Sequence, residues 1–218
     1  MQAEAMVGAG AMTEAVNEAA KPNARDEDDE SLLKEWVGLL VRAAFWALLI
    51  YLLIFQVSVV DGPSMYPTFH HGDRLVIDKL SYRFVSVGRF DVIVFEAIDH
   101  DKSPRMSRDY IKRVIGLPGD TVEIHGGFAW VNGKKLDEPF GPTRAQTLPG
   151  FSEGQAFVVP PGYYFVMGDN RDGSKDSRVA MSGDTLGMVP ANQIKGVVRW
   201  RLWPWARRKW FSRGVEEQ

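Results

Sequence analysis

Three regimes of hydrophobic and polar patterning divide the chain. Up to Glu35 the residues are rich in Ala, Glu, Asp and Asn with no sustained apolar period, and Asp26–Glu30 is wholly acidic. Such a segment cannot bury enough apolar surface to offset chain entropy, so residues 1–35 are expected to be a disordered tail. A docking arm for a basic partner is the alternative. The run Trp36–Phe55 is apolar on all sides, with Arg42 its one charge. A helix of that length rises about 30 Å, the depth of a bilayer's hydrocarbon core. Arg42 lies within two turns of the start, from where its side chain can reach the headgroups. A cleaved signal peptide would start near Met1 and end in small residues, and a buried amphipathic helix would show a polar stripe. Residues 36–56 are therefore assigned to one transmembrane helix.

Beyond it the period changes from helix to strand. Arg74–Leu80, Asp91–Glu96, Tyr110–Ile115 and Thr121–His125 are β-rich runs. Gly126-Gly127 and Asn132-Gly133 are two-residue hairpin signals on either side of Phe128–Val131. QAFVVP, YYFVMG and IKGVVRWRLW add further strands, Asp137–Gly154 reads as a loop, and no long helical period follows Phe55. The expected fold class is mostly β, an antiparallel sheet domain over residues 57–205 preceded by the transmembrane helix. Residues 206–218 are expected to be a basic tail. The Trp-rich, Arg-rich stretch Arg199–Phe211 suits either a membrane–water interface or a last strand with a solvated tail.

Charge and composition narrow the chemistry. A formal net charge of -2 gives no bulk electrostatic case for nucleic acid. No cysteine is present, which removes disulfides, thiol nucleophiles and cysteine-based zinc. The four histidines include adjacent His70 and His71, which as strand neighbours would point apart, so no metal is expected. Lys21, Arg25, Lys34 and Arg42 lie at the N-terminal end of the span and only Arg74 is near the other side. The positive-inside rule then sets the N-terminus in the cytoplasm and the β domain outside.

Three segments carry candidate chemistry. In Asp61–Phe69, DGPSMYPTF, glycine and two prolines force an irregular backbone around Ser64. In Arg108–Asp120, Lys112 lies in an apolar strand, where alternation sets Tyr110, Lys112 and Val114 on one face and Ile111, Arg113 and Ile115 on the other. Apolar surroundings lower a lysine pKa, and a fall from about 10.4 to about 8 corresponds to roughly 3 kcal/mol. A neutral amine can deprotonate a serine hydroxyl. The third segment, Gly168–Arg178, is dense in turn formers and follows an apolar strand directly. Taken alone, Ser64 reads as a turn residue and Lys112 as a lysine on a solvated strand face, and the third segment could be a solvated loop.

Together, SMYPT, YIKRVIGLPGD and GDNRDGSKDSR, in this order after an apolar helix, resemble the bacterial Ser-Lys type I signal peptidases. GDRLVIDK and GRFDVIVF resemble that family's intervening strands, and the likeness runs from about Trp36 to Trp205. The resemblance implies a β fold shared with repressor-type proteases, Ser64 as nucleophile and Lys112 as general base. Ser174 would orient the lysine by a hydrogen bond, and Gly168 would leave room beside it. Arg113–Asp169 and Asp176–Arg178 would be ion pairs holding the loop, and Met65 and Tyr110 would line small substrate pockets. Gly62 stands where some members carry a serine whose hydroxyl helps the oxyanion, which leaves backbone N–H groups, mainly that of Ser64. Since Gly62 precedes Pro63, an extended backbone and a tolerated Gly62→Ser are expected. The implied partners are signal peptides of exported preproteins and the lipid bilayer, with no cofactor, no nucleic acid and a monomeric chain. A soluble self-cleaving repressor-type protease and an inactive membrane-bound homologue are the competing readings.

Overall fold

The computed structural model describes residues 24–99, 106–138, 154–178 and 187–212. The chain divides into two compact units, after Tyr51. Helix α1 spans Ala24–Ile54. Its stretch Leu32–Leu52 is long and apolar enough to cross a membrane, and none of its length is buried within the protein. The helix starts well before Trp36, so residues 24–35 are not the coil expected of a disordered tail. Ala, Leu, Glu, Arg and Lys, all strong helix formers, dominate that stretch and let the helix propagate outward from the apolar run. Residues 1–23 lie outside the described residues. At the other end the helix stops at Ile54, and Phe55–Val59 forms strand β1 rather than a last turn of helix.

The remaining described strands are β2 (Arg74–Asp78), β3 (Val92–Asp99), β4 (Met106–Gly116), β5 (Thr121–His125), β6 (Phe128–Val131), β7 (Lys134–Lys135), β8 (Ala156–Val158), β9 (Tyr163–Met167), β10 (Val189–Pro190), β11 (Ile194–Trp203) and β12 (Lys209–Trp210). One turn of helix, α2 (Ser81–Phe84), follows β2. All described ladders are antiparallel. They form an eight-stranded sheet in the order β1-β2-β11-β3-β4-β9-β10, with β12 added to β11, and a four-stranded sheet in the order β7-β6-β5-β8. The fold class is the antiparallel β domain expected from the strand periodicity.

Both hairpin signals form. His125 pairs with Phe128 across Gly126-Gly127, and Val131 pairs with Lys134 across Asn132-Gly133. All four turn residues have positive φ, the geometry that matches the twist of the flanking strands. The loop expected at Asp137–Gly154 lies almost wholly outside the described residues.

Strand β3 shows why VIVF is a continuous apolar run in an antiparallel sheet. Val92 and Val94 pack with Met65, Phe69, Leu75 and Val198, while Ile93 and Phe95 pack with Val114, Val166 and Val197. Both faces of the large sheet are therefore covered at its centre. Strand β9 divides likewise: Tyr164 and Val166 join the second group, and Phe165 and Met167 join Ile115, Val122 and Ile124 where the two sheets meet.

The C-terminal segment is not simply a tail. Trp210 pairs with Trp200, Lys209 with Arg201, and the Phe211 N–H donates to the Arg199 carbonyl at 2.8 Å. Phe211 packs on Phe69, ring centroids 4.9 Å apart. Residues 209–211 thus belong to the domain rather than to a tail: β12 adds to β11, and Phe211 packs half-buried against the core while Trp210 stays exposed.

Gly116 sits where the small sheet joins the large one. A Cβ there would lie 2.6 Å from a Val122 methyl and 3.0 Å from both Val159 and Phe165. Gly116→Ala is expected to overpack this junction and destabilise the domain by about 1–3 kcal/mol, read as a lower midpoint in urea with an unchanged slope.

Candidate active site

Ser64 and Lys112 come from segments far apart in sequence and meet in space. Ser64 lies in an irregular loop closed by the Tyr66 N–H on the Pro63 carbonyl at 3.0 Å and the Phe69 N–H on the Met65 carbonyl at 2.8 Å. Lys112 lies in β4, opposite Ile93 of β3. Its Nζ is 2.8 Å from Ser64 Oγ and 3.1 Å from the Ile111 carbonyl oxygen. The lysine is 2% exposed. Burial lowers its pKa from the usual lysine range to about 8, against the pull of the Asp176 and Asp169 carboxylates and with the help of the Arg178 charge. The result is an amine that loses its proton near physiological pH while touching a hydroxyl.

The two carboxylates are themselves neutralised. Arg113 donates through Nε and Nη2 to Asp169 at 2.8 and 2.6 Å, and through Nη1 to the Phe90 carbonyl at 2.9 Å. Arg178 donates through Nε and Nη2 to Asp176, both at 2.8 Å, and to the Arg171 carbonyl. Burial pushes the Asp176 pKa up, but the Arg178 pair, the Gly168 N–H at 2.9 Å and the adjacent Ser174 hydroxyl together hold it below the usual carboxylate range. Both ion pairs read from the sequence are thus present, and both are fork-to-fork pairs that fix geometry as well as charge.

Three expectations change. Ser174 makes no hydrogen bond to Lys112; its buried hydroxyl has no partner of good hydrogen-bond geometry and lies beside the Asp176 carboxylate instead. Gly168 leaves room, but for the nucleophile loop: a Cβ there would collide with the Ser64 carbonyl oxygen and the Ser174 hydroxyl. Met65 is fully buried among Val60, Phe69 and Leu75 and does not line the cleft, because the turn after Ser64 directs it into the sheet's core. Tyr110 does line it, together with Val59, Leu75, Ile77, Ser64 and Lys112, in a space of about 180 Å³.

Two contacts were not legible from the motifs. Asn170 clamps the loop that carries Ser64: its N–H donates to the Ser64 carbonyl at 3.1 Å and its Nδ2 to the Pro63 carbonyl at 3.2 Å. Arg171 pairs with Glu138 and donates to the Gly168 carbonyl. Asn170 carries no local signal beyond its place in a turn-rich loop, and none ties Glu138 to Arg171.

The cleft is bordered by β1 and β4. Among the described residues β1 pairs with β2, and β4 meets β9 from Arg113 onward. Residues 58–61 and Arg108–Lys112 line the cleft. The Ser64 N–H donates no hydrogen bond within the described residues.

This fold and this lysine-against-serine geometry suit a hydrolase, and the comparisons place the chain among the peptidases. A family model described as signal peptidase, peptidase S26, matches residues 33–203, and the chain belongs to that family. Signal peptidase I of Bacillus caldolyticus is 43% identical over 162 residues, 70% of this chain and 82% of that protein. Signal peptidase IB of Staphylococcus aureus (strain MRSA252) is 33% identical over 192 residues, 82% of this chain and 93% of that protein. A crystal structure of a signal peptidase I from Enterococcus faecalis V583 is 32% identical and aligns with a TM-score of 0.37, covering 50% of this chain and 94% of that one.

Gly62 overturns the expectation of an extended backbone before Pro63. Its φ is 90°, in the region that side chains disfavour, although the space around its Cβ position is open. Gly62→Ala and Gly62→Ser are therefore expected to lower kcat/KM together, by strain in the loop that carries Ser64. A gain in Gly62→Ser alone would show instead that a side-chain oxyanion donor was missing.

Proposed function

We propose that the chain is a membrane-anchored serine endopeptidase that removes N-terminal signal peptides from exported preproteins through a Ser64–Lys112 dyad. The observation that carries this reading is the 2.8 Å contact between Ser64 Oγ and a lysine Nζ whose pKa burial lowers to about 8. Membership of the signal peptidase family supplies the substrate class.

The steps follow from the geometry. Below pH 8 the ammonium donates to Ser64 Oγ; above it the Ser64 O–H donates to the free Nζ lone pair along the same line. As Oγ attacks the scissile carbonyl carbon, its proton passes to Nζ. The carbonyl oxygen becomes an oxyanion, to which the Ser64 N–H donates a hydrogen bond. Collapse of the tetrahedral intermediate breaks the C–N bond, and the Lys112 ammonium returns the proton to the leaving amine. Water, deprotonated by the same amine, then releases the acyl group and restores Ser64. No cofactor, metal or nucleic acid enters, and one chain supplies every group.

Substrate binds as an extended strand along residues 58–61 and Arg108–Lys112, which line the cleft, with small side chains beside Tyr110. Met65 supports that cleft from the core without touching substrate. The span Leu32–Leu52 anchors the protein, with the N-terminus cytoplasmic and the β domain outside, supported by the basic residues at its N-terminal end.

Ser64→Ala and Lys112→Ala are each expected to lower preprotein cleavage by about four orders of magnitude or more, with the melting midpoint retained, because nucleophile and base act as a unit. Lys112→Arg is expected to fail equally, since guanidinium stays protonated. For the wild type, kcat/KM should rise about tenfold per pH unit up to about 8 and level off above it, since only the deprotonated amine is competent. Activity in Lys112→Arg, or a profile peaking in acid, would reject the lysine as base.

Protease added to sealed cells should cut within Asp137–Gly154 and spare Met1–Glu35, with the reverse in inverted vesicles. The opposite pattern would reject the proposed orientation.

A further inference from the structure

A second cavity, of about 800 Å³, lies apart from the dyad and contains no group used in the mechanism. Its lining includes Lys79, Arg83 and Lys195, the amides of Gln56 and Gln193, and the carboxylate Glu96. Lys195 is neutralised, at 3.2 Å from Glu96 and 2.7 Å from Asp109. Glu96 is further engaged by the Ser107 hydroxyl. Neither Lys79 nor Arg83 has an ion pair or a side-chain hydrogen bond among the described residues. Two uncompensated cations beside carboxamide donors offer what a multiply accepting oxyanion needs.

The cavity's place in the chain says which oxyanion. Gln56 is the second residue after α1, and the Lys79 N–H donates to the carbonyl of Ile54, the last residue of α1, at 2.9 Å. The membrane-compatible stretch ends at Leu52. Adjoining the cations are the exposed apolar side chains of Leu80, Phe84 and Val85, with Phe84 80% exposed. Cations and amides at the exit of a span, edged by exposed apolar residues, match the layer where lipid phosphates meet acyl chains. We propose that this cavity binds the phosphate headgroup of an anionic phospholipid, an inference that rests on the membrane-anchored reading above. Free phosphate shares the charge but would leave the apolar edge unused.

The test uses the full chain in detergent, titrated with phosphatidylglycerol or phosphatidylcholine, with bound lipid counted by native mass spectrometry. The variants are Lys79→Ala/Arg83→Ala and, as a charge-matched control, Lys134→Ala/Lys135→Ala on β7. Affinity for phosphatidylglycerol is expected to fall about five-fold for each cation removed in the first variant, to hold in the control, and to be unchanged for phosphatidylcholine in both. Equal losses in the two variants, or no loss in the first, would overturn the site. Displacement of the lipid by equimolar inorganic phosphate would overturn the lipid assignment. Flotation with phosphatidylcholine vesicles separates the two readings: a chain that does not float removes the anchor and this site with it. A chain that floats without charge-dependent lipid retention removes the site alone.

Discussion

Burial of one amine against one hydroxyl is the constraint on which the rest of the site depends. A lysine in water is charged and useless as a base at neutral pH. Lys112 escapes this because almost all of it is removed from solvent, and burial is the largest influence on its pKa. Yet two carboxylates, Asp169 and Asp176, lie close enough to pull the proton back. Each is paired to its own arginine by two hydrogen bonds, so the lysine faces dipoles rather than naked charges. Removing either arginine would leave a buried, uncompensated carboxylate beside the amine, which stabilises the ammonium and silences the base. The ion pairs are thus electrostatic equipment as much as scaffolding.

The same loop also fixes the nucleophile. Asn170 holds the carbonyls of Pro63 and Ser64, and Gly168, lacking a Cβ, lets the strand end approach the Ser64 backbone. Gly168 in turn donates its N–H to Asp176, the residue that senses the lysine. The position of Ser64, the pKa of Lys112 and the loop conformation therefore form one connected network, in which a displacement at any member reaches the others. Glu138, outside all three motifs, extends the network through Arg171.

Much of this was legible in the sequence, and the limits have physical causes. Thr121–His125 and Phe128–Val131 could be read because alternation and a Gly-Gly turn are local signals, whose register is fixed by the turn. The α1–β1 boundary could not, because the alternating Phe55–Val59 is only five residues long and continues the apolar helix with no Gly, Pro or capping residue to mark its end. Strand β12 is two residues long and exists through pairing with Trp200 and Arg201, a nonlocal contact without a pattern. In the site, Arg113–Asp169 and Asp176–Arg178 followed from the motifs. Burial of Met65 and the side-step of Ser174 depend on the direction in which an irregular loop points its side chains, which spacing does not encode. Gly62 is the sharpest case: the general preference before proline loses to a turn that requires positive φ.

Coupling of the lysine's charge to packing has a consequence for how the activity is controlled. With a pKa of about 8, roughly a tenth of the chains hold a neutral amine at pH 7. That fraction exists only while Lys112 stays buried. Any local opening that hydrates Lys112 restores the ordinary lysine pKa and removes the base, while Ser64 alone, with the pKa of an ordinary alcohol, is inert. The Ser64 hydroxyl therefore faces a neutral amine only while that burial holds, which ties the contact to the folded state of the domain.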